Sequence, residues 1–325
     1  MDSKKTKSVG ILMATYNPNM DWLEAQLKSL NAQDYPSLSL LVLDDASPDV
    51  PIKDIEAAVK KTIKNFAYQI KQNPKNLGSC KTFERLVELG EGEYFATCDQ
   101  DDIWESEKIS RLMDVIEPDT TLIYSDLSII NGKGEKTHES LRDIRKRLKH
   151  LSGAGLAPQI LFRNFVTGCT MMVRADVAKA SVPFTKEMIG DHHITLYAAS
   201  KGKIQYLDEP LVRYRQHETN VTGILKGVTD KQSYIDIRIT PLISQFETLK
   251  TVTFADDRKM IQTINRGLKW LSARQRYLNG NPLAGFTLLW FSGLNFKTTL
   301  FDLAMPLMPK SVFQKALKTI RGESA

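Results

Sequence analysis

The sequence has few cysteines and no long apolar run. Its 325 residues include three cysteines, and no two of them form a Cys-x-x-Cys pair. This odd count argues against a disulfide scaffold or a structural zinc site and fits a reducing compartment, so we expect Cys80, Cys98 and Cys169 to be packing residues. No apolar run approaches 18 residues, and the first residues lack a signal-peptide pattern. We therefore expect a cytoplasmic chain that does not cross a membrane.

Negative charge is scarce in the last third of the chain. Residues 221–325 hold 15 Lys and Arg against 7 Asp and Glu, whereas residues 1–220 hold 29 against 31. A basic segment of this kind attracts nucleic acid, a membrane or an anionic ligand, or it is simply a solvated surface. No RNP, zinc-finger or helix-turn-helix signature is present, so we expect no nucleic-acid partner.

Short apolar runs alternate with amphipathic stretches over the first 130 residues. This alternation predicts an α/β fold with a mostly parallel sheet covered by helices on both faces. In such sheets the ligand lies at the carboxyl ends of the strands, where Thr15, Asp44, Asp45 and Asp99 fall here. The predicted strands are residues 9–13, 38–43, 66–71 and 94–98, and the predicted helices are one that Asp21 caps and Pro36 ends, 54–64 and 81–89.

The rest of the chain divides into an insertion, a few further elements and a helical region. Glycines and basic residues punctuate 131–158, which indicates a loop or helical insertion. A strand at 170–173, a helix at 191–200 and a strand at 204–207 follow. After about residue 225 the pattern is helical throughout. We therefore predict an α/β domain over 1–224 and a helical C-terminal region over 225–325.

The strongest local signal is a cluster of three carboxylates, Asp99, Asp101 and Asp102, directly after a predicted strand. Asp99 and Asp101 are two residues apart, so in an extended backbone they point the same way. Carboxylate oxygens suit Mg²⁺ or Mn²⁺, which also bind phosphate. The alternative is a solvated acidic turn that caps the helix beginning near Ser106. Glycine-rich dinucleotide and P-loop patterns are absent, so the phosphates of a bound nucleotide would need a metal.

Seven motifs in order carry a resemblance to a known family. The motifs are A-T-Y-N (14–17), V-L-D-D-A-S (42–47), N-L-G (76–78), D-Q-D-D-I-W (99–104), T-G-C-T (167–170), G-D-H-H (190–193) and Y-R-Q-H-E-T-N-V-T-G (214–223). Together they resemble the family 2 inverting glycosyltransferases with the GT-A fold, over roughly residues 8–225. The fourth and the last motif resemble the bacterial rhamnosyltransferase branch.

The resemblance implies a nucleotide-sugar site built from these motifs. One of Asp44 and Asp45 would accept a hydrogen bond from the pyrimidine N3–H, and Asp99 would hold the ribose. A divalent metal, Mn²⁺ or Mg²⁺, would be bound by Asp101 and His217. The other implied nucleotide-sugar contacts are Thr15, Tyr16, Asn17, Asn76, Gly78, Gln100 and Arg215. For Arg215 a structural ion pair is an equal alternative. Asp102 is expected to cap the following helix, with support of the metal ligands as the alternative.

Asp191 matches the catalytic base of the family. Inversion by direct displacement needs one base that takes the proton of the acceptor hydroxyl. Many relatives carry Glu or His just before this aspartate, where this chain has Gly190. The alternative role for Asp191 is the N-cap of a helix beginning at His192, and the two roles are compatible. Either His192 or His193 is expected to line the acceptor site.

The function that the resemblance implies is transfer of L-rhamnose from dTDP-rhamnose to a lipid-linked polysaccharide acceptor at the inner face of the cell membrane. A UDP-hexose donor and a catalytically degenerate nucleotide-sugar-binding scaffold are the open alternatives. In the C-terminal third, Phe286, Trp290, Phe291 and Phe296 lie near basic residues, which suits a peripheral membrane surface. An interface of a homo-oligomer or a helical packing layer fits the same pattern.

Overall fold

A computed structural model describes residues 6–146, 148–186, 188–216 and 227–321, with side chains as far as residue 317. The chain divides into two compact units, Met1–Glu218 and Thr219–Ala325. The predicted domain boundary at residue 224 lies outside the described residues and stays a prediction.

The first unit is built on a mixed sheet. Among the described residues the sheet has nine strands in the order β3-β2-β1-β4-β8-β6-β9-β5, and β7 pairs with β6. The strands β1 to β4 run parallel to one another, as do β6 and β9, whereas β8 lies antiparallel between β4 and β6. The strands are β1 (Val9–Thr15), β2 (Leu38–Asp44), β3 (Ala67–Gln72), β4 (Tyr94–Cys98), β5 (Ile103–Trp104), β6 (Thr120–Ile130), β7 (Lys136–His138), β8 (Met171–Arg174) and β9 (Lys203–Arg215).

Helices connect and flank these strands. The apolar stripes of α1 to α3 are buried, as the amphipathic spacing predicts. The N-cap of α1 is Asn19 rather than Asp21, because the Asn19 side chain accepts hydrogen bonds from the main-chain N–H groups of Asp21 and Trp22. The helices of the first unit are α1 (Met20–Asn31), α2 (Ile52–Thr62), α3 (Ser79–Leu89), α4 (Lys108–Val115), α5 (Leu141–Ile144), α6 (Ala157–Phe162), α7 (Ala175–Ala180) and α8 (Gly190–Lys201).

Of the two longest strands, β6 was not predicted and β9 was predicted too short. Every residue of β6 is buried, including Ser125, Asp126 and Ser128, whose polar side chains interrupt the apolar run that would signal a strand. β9 extends to Arg215, well beyond the predicted end at residue 207, and its pairing with β6 shifts register near Pro210. The insertion at 131–158 contains the short elements β7 and α5 and the beginning of α6.

The second unit is helical, as predicted. Its core contains Tyr234, Ile239, Met305 and Phe313, which are almost completely buried. Two π-helical turns, Ile235–Ile239 and Leu249–Thr253, flank the second of its helices. Within the described part of the chain, no helix combines the length and the apolar character that a membrane crossing requires. The helices are α9 (Lys231–Tyr234), α10 (Thr240–Thr248), α11 (Arg258–Leu278), α12 (Ala284–Trp290), α13 (Phe296–Ala304) and α14 (Lys310–Arg321).

Candidate active site

The carboxyl ends of β1 and β2 are joined by a buried aspartate. Thr15 donates its hydroxyl proton to Oδ1 of Asp44 at 3.1 Å. The same oxygen accepts from the Ser47 hydroxyl at 2.6 Å, and Oδ2 accepts from the Ser47 main-chain N–H and from Gln72. Each carboxylate oxygen has two lone pairs, so these four hydrogen bonds fill all the acceptor positions of Asp44. Asp44 therefore holds the ends of three neighbouring strands together.

Asp45 organises the turn before α3. Its Oδ1 accepts hydrogen bonds from Asn73 at 2.7 Å and from the Leu77 N–H at 2.8 Å, and its Oδ2 accepts from the Gly78 N–H at 2.9 Å. The Asn76 side chain also accepts from the Gly78 N–H, and Gly78 has a φ of 81°, a conformation that favours glycine. Three hydrogen bonds on a carboxylate leave one acceptor position, on Oδ2. Of the two candidate aspartates, Asp45 is thus the one with capacity for a ligand.

The segment after β1 is fixed by hydrogen bonds to residues of two neighbouring loops. Gln100 accepts from the Tyr16 main-chain N–H at 2.8 Å and donates to the Tyr16 carbonyl at 3.1 Å. Asn17 adopts a φ of 42° and exchanges hydrogen bonds with Asp49, while its main-chain N–H donates to Ser47. The Tyr16 side chain itself is 45% exposed. Gln100 and Asn17 therefore position this loop, and the Tyr16 ring is accessible beside it.

The acidic motif forms a bend instead of an extended segment, so the strand-like alternation that would place Asp99 and Asp101 side by side does not apply here. Residues 100 and 101 are bent. The carboxylates that meet are those of Asp99 and Asp102, which together with the Cys169 thiol bring one potential ligand atom each within 4.8 Å of one another. Alternating side-chain directions apply only to an extended backbone, which explains the difference.

Asp102 does not cap a helix. It is completely buried, and its Oδ1 accepts from the Arg215 main-chain N–H at 3.0 Å, while α4 begins six residues later without a side-chain cap. Burial, then the negative charge of Asp101, raises the pKa of Asp102 to about 7. Burial and the charges of Asp102, Asp101 and Asp191 also raise the pKa of Asp99.

A buried lysine lies beneath the acidic bend. Lys108 donates to the Cys169 carbonyl at 2.6 Å, and its Nζ lies 3.1 Å from the centroid of the Trp104 ring. Burial lowers the pKa of Lys108 to about 7. Its positive charge partly offsets those of Asp99 and Asp102, whose pKa values it lowers.

Arg215 holds the acidic bend in place. Its Nε donates to the Asp101 carbonyl at 2.7 Å, and its Nη1 donates to the carbonyls of Asn131 and Gly132 at 3.0 and 3.3 Å. The residue is 2% exposed, and its guanidinium lies 5.2 Å from the centroid of the Trp22 ring. The contacts of Arg215 thus fit the structural alternative, although through main-chain carbonyls, better than a contact with phosphate.

Asp191 lies in the first turn of α8, beside the T-G-C-T segment. Its Oδ2 accepts from the Gly168 N–H at 3.1 Å and its Oδ1 accepts from Asn164 at 3.3 Å. The N-cap position belongs to Ile189, so the N-cap alternative for Asp191 is wrong. Burial raises the pKa of Asp191 to about 6, against the opposing effect of its hydrogen bonds. A carboxylate with this pKa is ionised at neutral pH and is a stronger base than an ordinary aspartate.

The histidines next to Asp191 have structural contacts. His193 is buried, with its ring nitrogens bonded to the Thr185 N–H and the Ser181 carbonyl, and burial lowers its pKa to about 4. The His192 Nε2 contacts the Ile160 carbonyl. These contacts give no support to an acceptor-site role for either residue. His217, the second expected metal ligand, lies outside the described residues.

The donor set around the bend fits a divalent cation. Asp102 Oδ2 is buried without a hydrogen bond of normal geometry among the described residues, and the Cys169 thiol lies beside this carboxylate. Asp101, half-buried on the same bend, adds a third carboxylate. Asp99 and Asp102 repel each other, and their pKa values are raised, so they are a favourable environment for Mg²⁺ or Mn²⁺, whose charge would offset theirs.

Comparison with known proteins agrees with this architecture. A family model described as "Glycosyl transferase family 2" matches residues 10–180, more than half of the chain. The chain belongs to glycosyl transferase family 2. It is 27% identical over 226 residues to the dTDP-rhamnosyl transferase RfbG of Shigella flexneri, an alignment that covers 65% of this chain and 73% of RfbG.

Solved structures show that this glycosyltransferase has the GT-A fold. TarS 1–349 of S. aureus in complex with UDP-GlcNAc superimposes with a TM-score of 0.54 at 17% identity, covering 87% of this chain and 89% of that one. This chain covers 43% of a longer TarS chain. The mannosyltransferase PcManGT from Pyrobaculum calidifontis, in complex with GDP-Man and Mn²⁺, gives 0.55 at 15% identity, covering 98% and 86%.

Two residues of the candidate site were not predicted from the sequence. Asn164 contacts the Asp191 carboxylate but lies in an irregular segment outside the motifs. Lys108 reads in the sequence as an ordinary surface lysine at the start of a helix, and only the tertiary structure buries it. Neither position carries a local signal in a single sequence.

Proposed function

We propose that this glycosyltransferase transfers L-rhamnose from dTDP-rhamnose, with inversion, to a lipid-linked saccharide at a membrane surface. The observation that carries the proposal is the Asp191 carboxylate, held at the same sheet edge as the acidic bend by Gly168 and Asn164. Gly168 also accepts from the Thr97 hydroxyl of β4, the strand that leads into the acidic bend, so Asp191 is linked to the end of that strand. A single base at this position suits direct displacement without a covalent intermediate.

In the proposed reaction, an acceptor hydroxyl oxygen attacks the anomeric carbon of the donor sugar. The bond from that carbon to the diphosphate oxygen breaks, and the nucleoside diphosphate departs with the electron pair. The hydroxyl proton passes to the Asp191 carboxylate, which Gly168 and Asn164 keep oriented. A divalent cation bound by Asp101, with His217 as the second expected ligand, would neutralise negative charge on the leaving diphosphate.

The nucleotide is proposed to bind along the ends of β1, β2 and β4. Asp45 would accept the pyrimidine N3–H with its remaining acceptor position, the exposed Tyr16 ring would contact the base, and Asp99 would hold the ribose. Both thymine and uracil carry an N3–H, so Asp45 suits either nucleotide. The choice of dTDP-rhamnose therefore rests on the motif resemblance and on the similarity to RfbG.

The second candidate function is transfer from a UDP-hexose, which the fold similarity to the UDP-GlcNAc complex of TarS favours. A panel of nucleotide sugars, assayed for nucleoside diphosphate release with Mn²⁺, Mg²⁺ or EDTA, separates the candidates. We expect dTDP-rhamnose to outcompete UDP-glucose and UDP-GlcNAc and release to require the metal. Preference for a UDP-sugar would favour the second candidate. Binding without turnover of any donor would indicate a degenerate scaffold.

The acceptor and the location complete the proposal. A lipid-linked acceptor would present its sugar at the inner face of the cell membrane, and the basic second unit would hold the enzyme there as a peripheral protein. The same surface could instead join copies of the chain in a homo-oligomer. A membrane and a second copy of the chain would interact differently with the charged surface of the second unit.

A further inference from the structure

The second unit exposes a set of large apolar side chains that its own core does not need. Phe286 is 74% exposed, Trp290 84% and Leu307 86%. The unit has a separate core around Tyr234, Ile239 and Phe313. Solvent-exposed aromatic side chains of this size in one region mark an interaction surface. We define the docking face as Leu283, Phe286, Trp290, Phe296, Leu300 and Leu307.

These side chains lie on adjacent elements. Leu283, Phe286 and Trp290 are spaced three and four residues apart along α12 and its N-cap, so they share one side of the helix, while Ala284 and Leu288 are buried on the other. The helix α13, which carries Phe296 and Leu300, contacts α12, and Leu307 lies in the turn that contacts α13. The docking face is therefore built from neighbouring parts of one fold unit.

The part of the chain that carries the docking face has a strong excess of positive charge. Between residues 258 and 317 the single acidic residue is Asp302, which is buried and bonded to Arg274. The same range exposes eight basic side chains: Arg258, Lys259, Arg266, Lys269, Arg276, Lys297, Lys310 and Lys315. A second copy of this face would bring like charges together, whereas an anionic surface would be attracted.

A basic groove borders the docking face. Its volume is about 390 Å³, and Lys250, Lys269 and Arg276 line it together with Asn265, Ser272 and Thr287. Thr287 follows Phe286 directly in α12, so the groove reaches the helix that carries the apolar side chains. Glu247 also lines the groove and lies 3.9 Å from Lys250. Cationic and hydroxyl donors in this arrangement suit a phosphate group.

We infer that the docking face inserts into the interfacial layer of an anionic lipid membrane, with the basic groove at the level of the lipid phosphates. This inference rests on the membrane location in the proposed function and specifies the residues that achieve it. Aromatic side chains favour the boundary between headgroups and acyl chains, and nearby Lys and Arg are attracted to anionic lipid. The helices α12 and α13 are too short to span a bilayer, so insertion is shallow.

Vesicle co-sedimentation of the full chain tests the inference. We expect binding to phosphatidylglycerol vesicles that weakens with salt, and weak binding to phosphatidylcholine vesicles. The double variant Phe286→Ser/Trp290→Ser should bind at least about 10-fold more weakly, since two aromatic side chains lose burial. Ile237→Ser, which changes a 40% exposed residue outside the docking face, is the matched control and should bind as the wild type does.

A charge-reversal variant tests whether the basic groove faces the lipid headgroups. Arg276→Glu should weaken binding to phosphatidylglycerol vesicles by about 5-fold or more, because each cation near the surface contributes about 1 kcal/mol. Lys53→Glu, the same charge change at an exposed position of α2 in the first unit, should have little effect. Wild-type binding by Arg276→Glu would show that the groove does not face the headgroups.

Three results would overturn the docking inference. They are failure of the wild type to bind anionic vesicles at low salt, undiminished binding by Phe286→Ser/Trp290→Ser, and a shift of that variant from oligomer to monomer in sedimentation velocity. The last would assign the face to a second copy of the chain. Nucleoside diphosphate release from dTDP-rhamnose, measured without vesicles, should be unchanged in all these variants. If the wild type released no nucleoside diphosphate from dTDP-rhamnose, the proposed reaction would be contradicted, while the vesicle-binding result would still stand.

Discussion

The main-chain N–H of Gly168 donates a hydrogen bond to Oδ2 of Asp191 at 3.1 Å. Gly168 in turn accepts at its carbonyl from the Thr97 hydroxyl of β4, so two successive hydrogen bonds connect the central sheet to the proposed base. A Cβ at position 168 would lie 3.3 Å from the Asp191 Cβ, which leaves little room for a larger residue there. The glycine of T-G-C-T thus permits the close approach that orients the carboxylate.

The first prediction concerns Asp191 itself. Asp191→Asn keeps the size of the side chain but removes its basicity, so transfer should fall by about 10²–10⁴-fold. Donor binding should stay nearly unchanged, because the proposed role of Asp191 is toward the acceptor. Isothermal titration with dTDP and a coupled nucleoside diphosphate assay measure the two quantities separately. Lost nucleotide affinity together with a high residual rate would place Asp191 in the donor site and the base elsewhere.

The second prediction concerns the pH dependence of transfer. The base must be ionised, and burial raises the Asp191 pKa to about 6, so kcat/KM should fall as the pH drops below about 6. Asn164 donates to the Asp191 carboxylate and so favours its ionised form. Asn164→Ala should therefore move this acidic limb to higher pH. A purely structural role for Asn164 would lower the rate without moving the limb.

The control for this shift is Thr195→Val. The Thr195 hydroxyl donates to the main-chain carbonyl of Asp191 and not to its carboxylate, and valine has nearly the same shape. Its pH profile should match that of the wild type. A shift of equal size in Thr195→Val would indicate a general distortion of the first turn of α8.

The third prediction tests whether Asp45 recognises the pyrimidine ring of the nucleotide. If Asp45 accepts the pyrimidine N3–H, N3-methyl-dTDP should bind about 10- to 100-fold more weakly than dTDP, the usual contribution of a hydrogen bond to a charged group. In Asp45→Asn the two nucleotides should bind more nearly alike. Both nucleotides are measured on the same variant, so an effect of a changed turn at 76–78 cancels in the ratio of their affinities. Equal affinity of the wild type for both nucleotides would remove Asp45 from this role.

The strands that lead to the proposed nucleotide site were predictable because each is a short apolar run followed by polar residues. The prediction for β4, residues 94–98, matches the structure at both ends. The strand β6 was missed because Ser125, Asp126 and Ser128 break its apolar pattern. Two of these polar residues are tolerated in the interior because they are hydrogen-bonded: Ser140 donates to the Asp126 carboxylate, and the Ser125 hydroxyl donates to the Asp126 carbonyl. A helix or strand that depends on tertiary partners leaves a weak local signal.

The candidate site was likewise predictable in part: the sequence indicated which residues meet, but not what each of them contacts. Motif spacing brought Thr15, Asp44, Asp45 and Asp99 to one sheet edge, because parallel strands end together. The motifs did not reveal that Asp44 is saturated with donors, since this depends on Gln72 from β3. The contacts of Arg215 likewise come from residues more than 80 positions away in the sequence.

The second unit contains a buried charge network that makes its stability testable. Arg274 and Asp302 are almost completely buried and form an ion pair through the Arg274 Nε. Tyr234 completes the network, since its hydroxyl donates to Asp302 at 3.2 Å and accepts from Arg274 at 2.8 Å. The Arg274 guanidinium also lies 4.5 Å from the centroid of the Trp270 ring. Removal of one charge would leave the other buried without its partner.

The fourth prediction is that Arg274→Met lowers the free energy of unfolding of the second unit by about 3–5 kcal/mol, the usual effect of leaving a buried charge unpaired. The double variant Arg274→Met/Asp302→Leu should recover most of this loss, because it removes the unpaired carboxylate as well. Arg276→Met, an exposed change on the same helix, should alter stability by less than about 0.5 kcal/mol. Urea denaturation followed by tryptophan fluorescence measures all three. If the double variant is as unstable as Arg274→Met, the loss comes from packing around Trp270 and not from the unpaired charge.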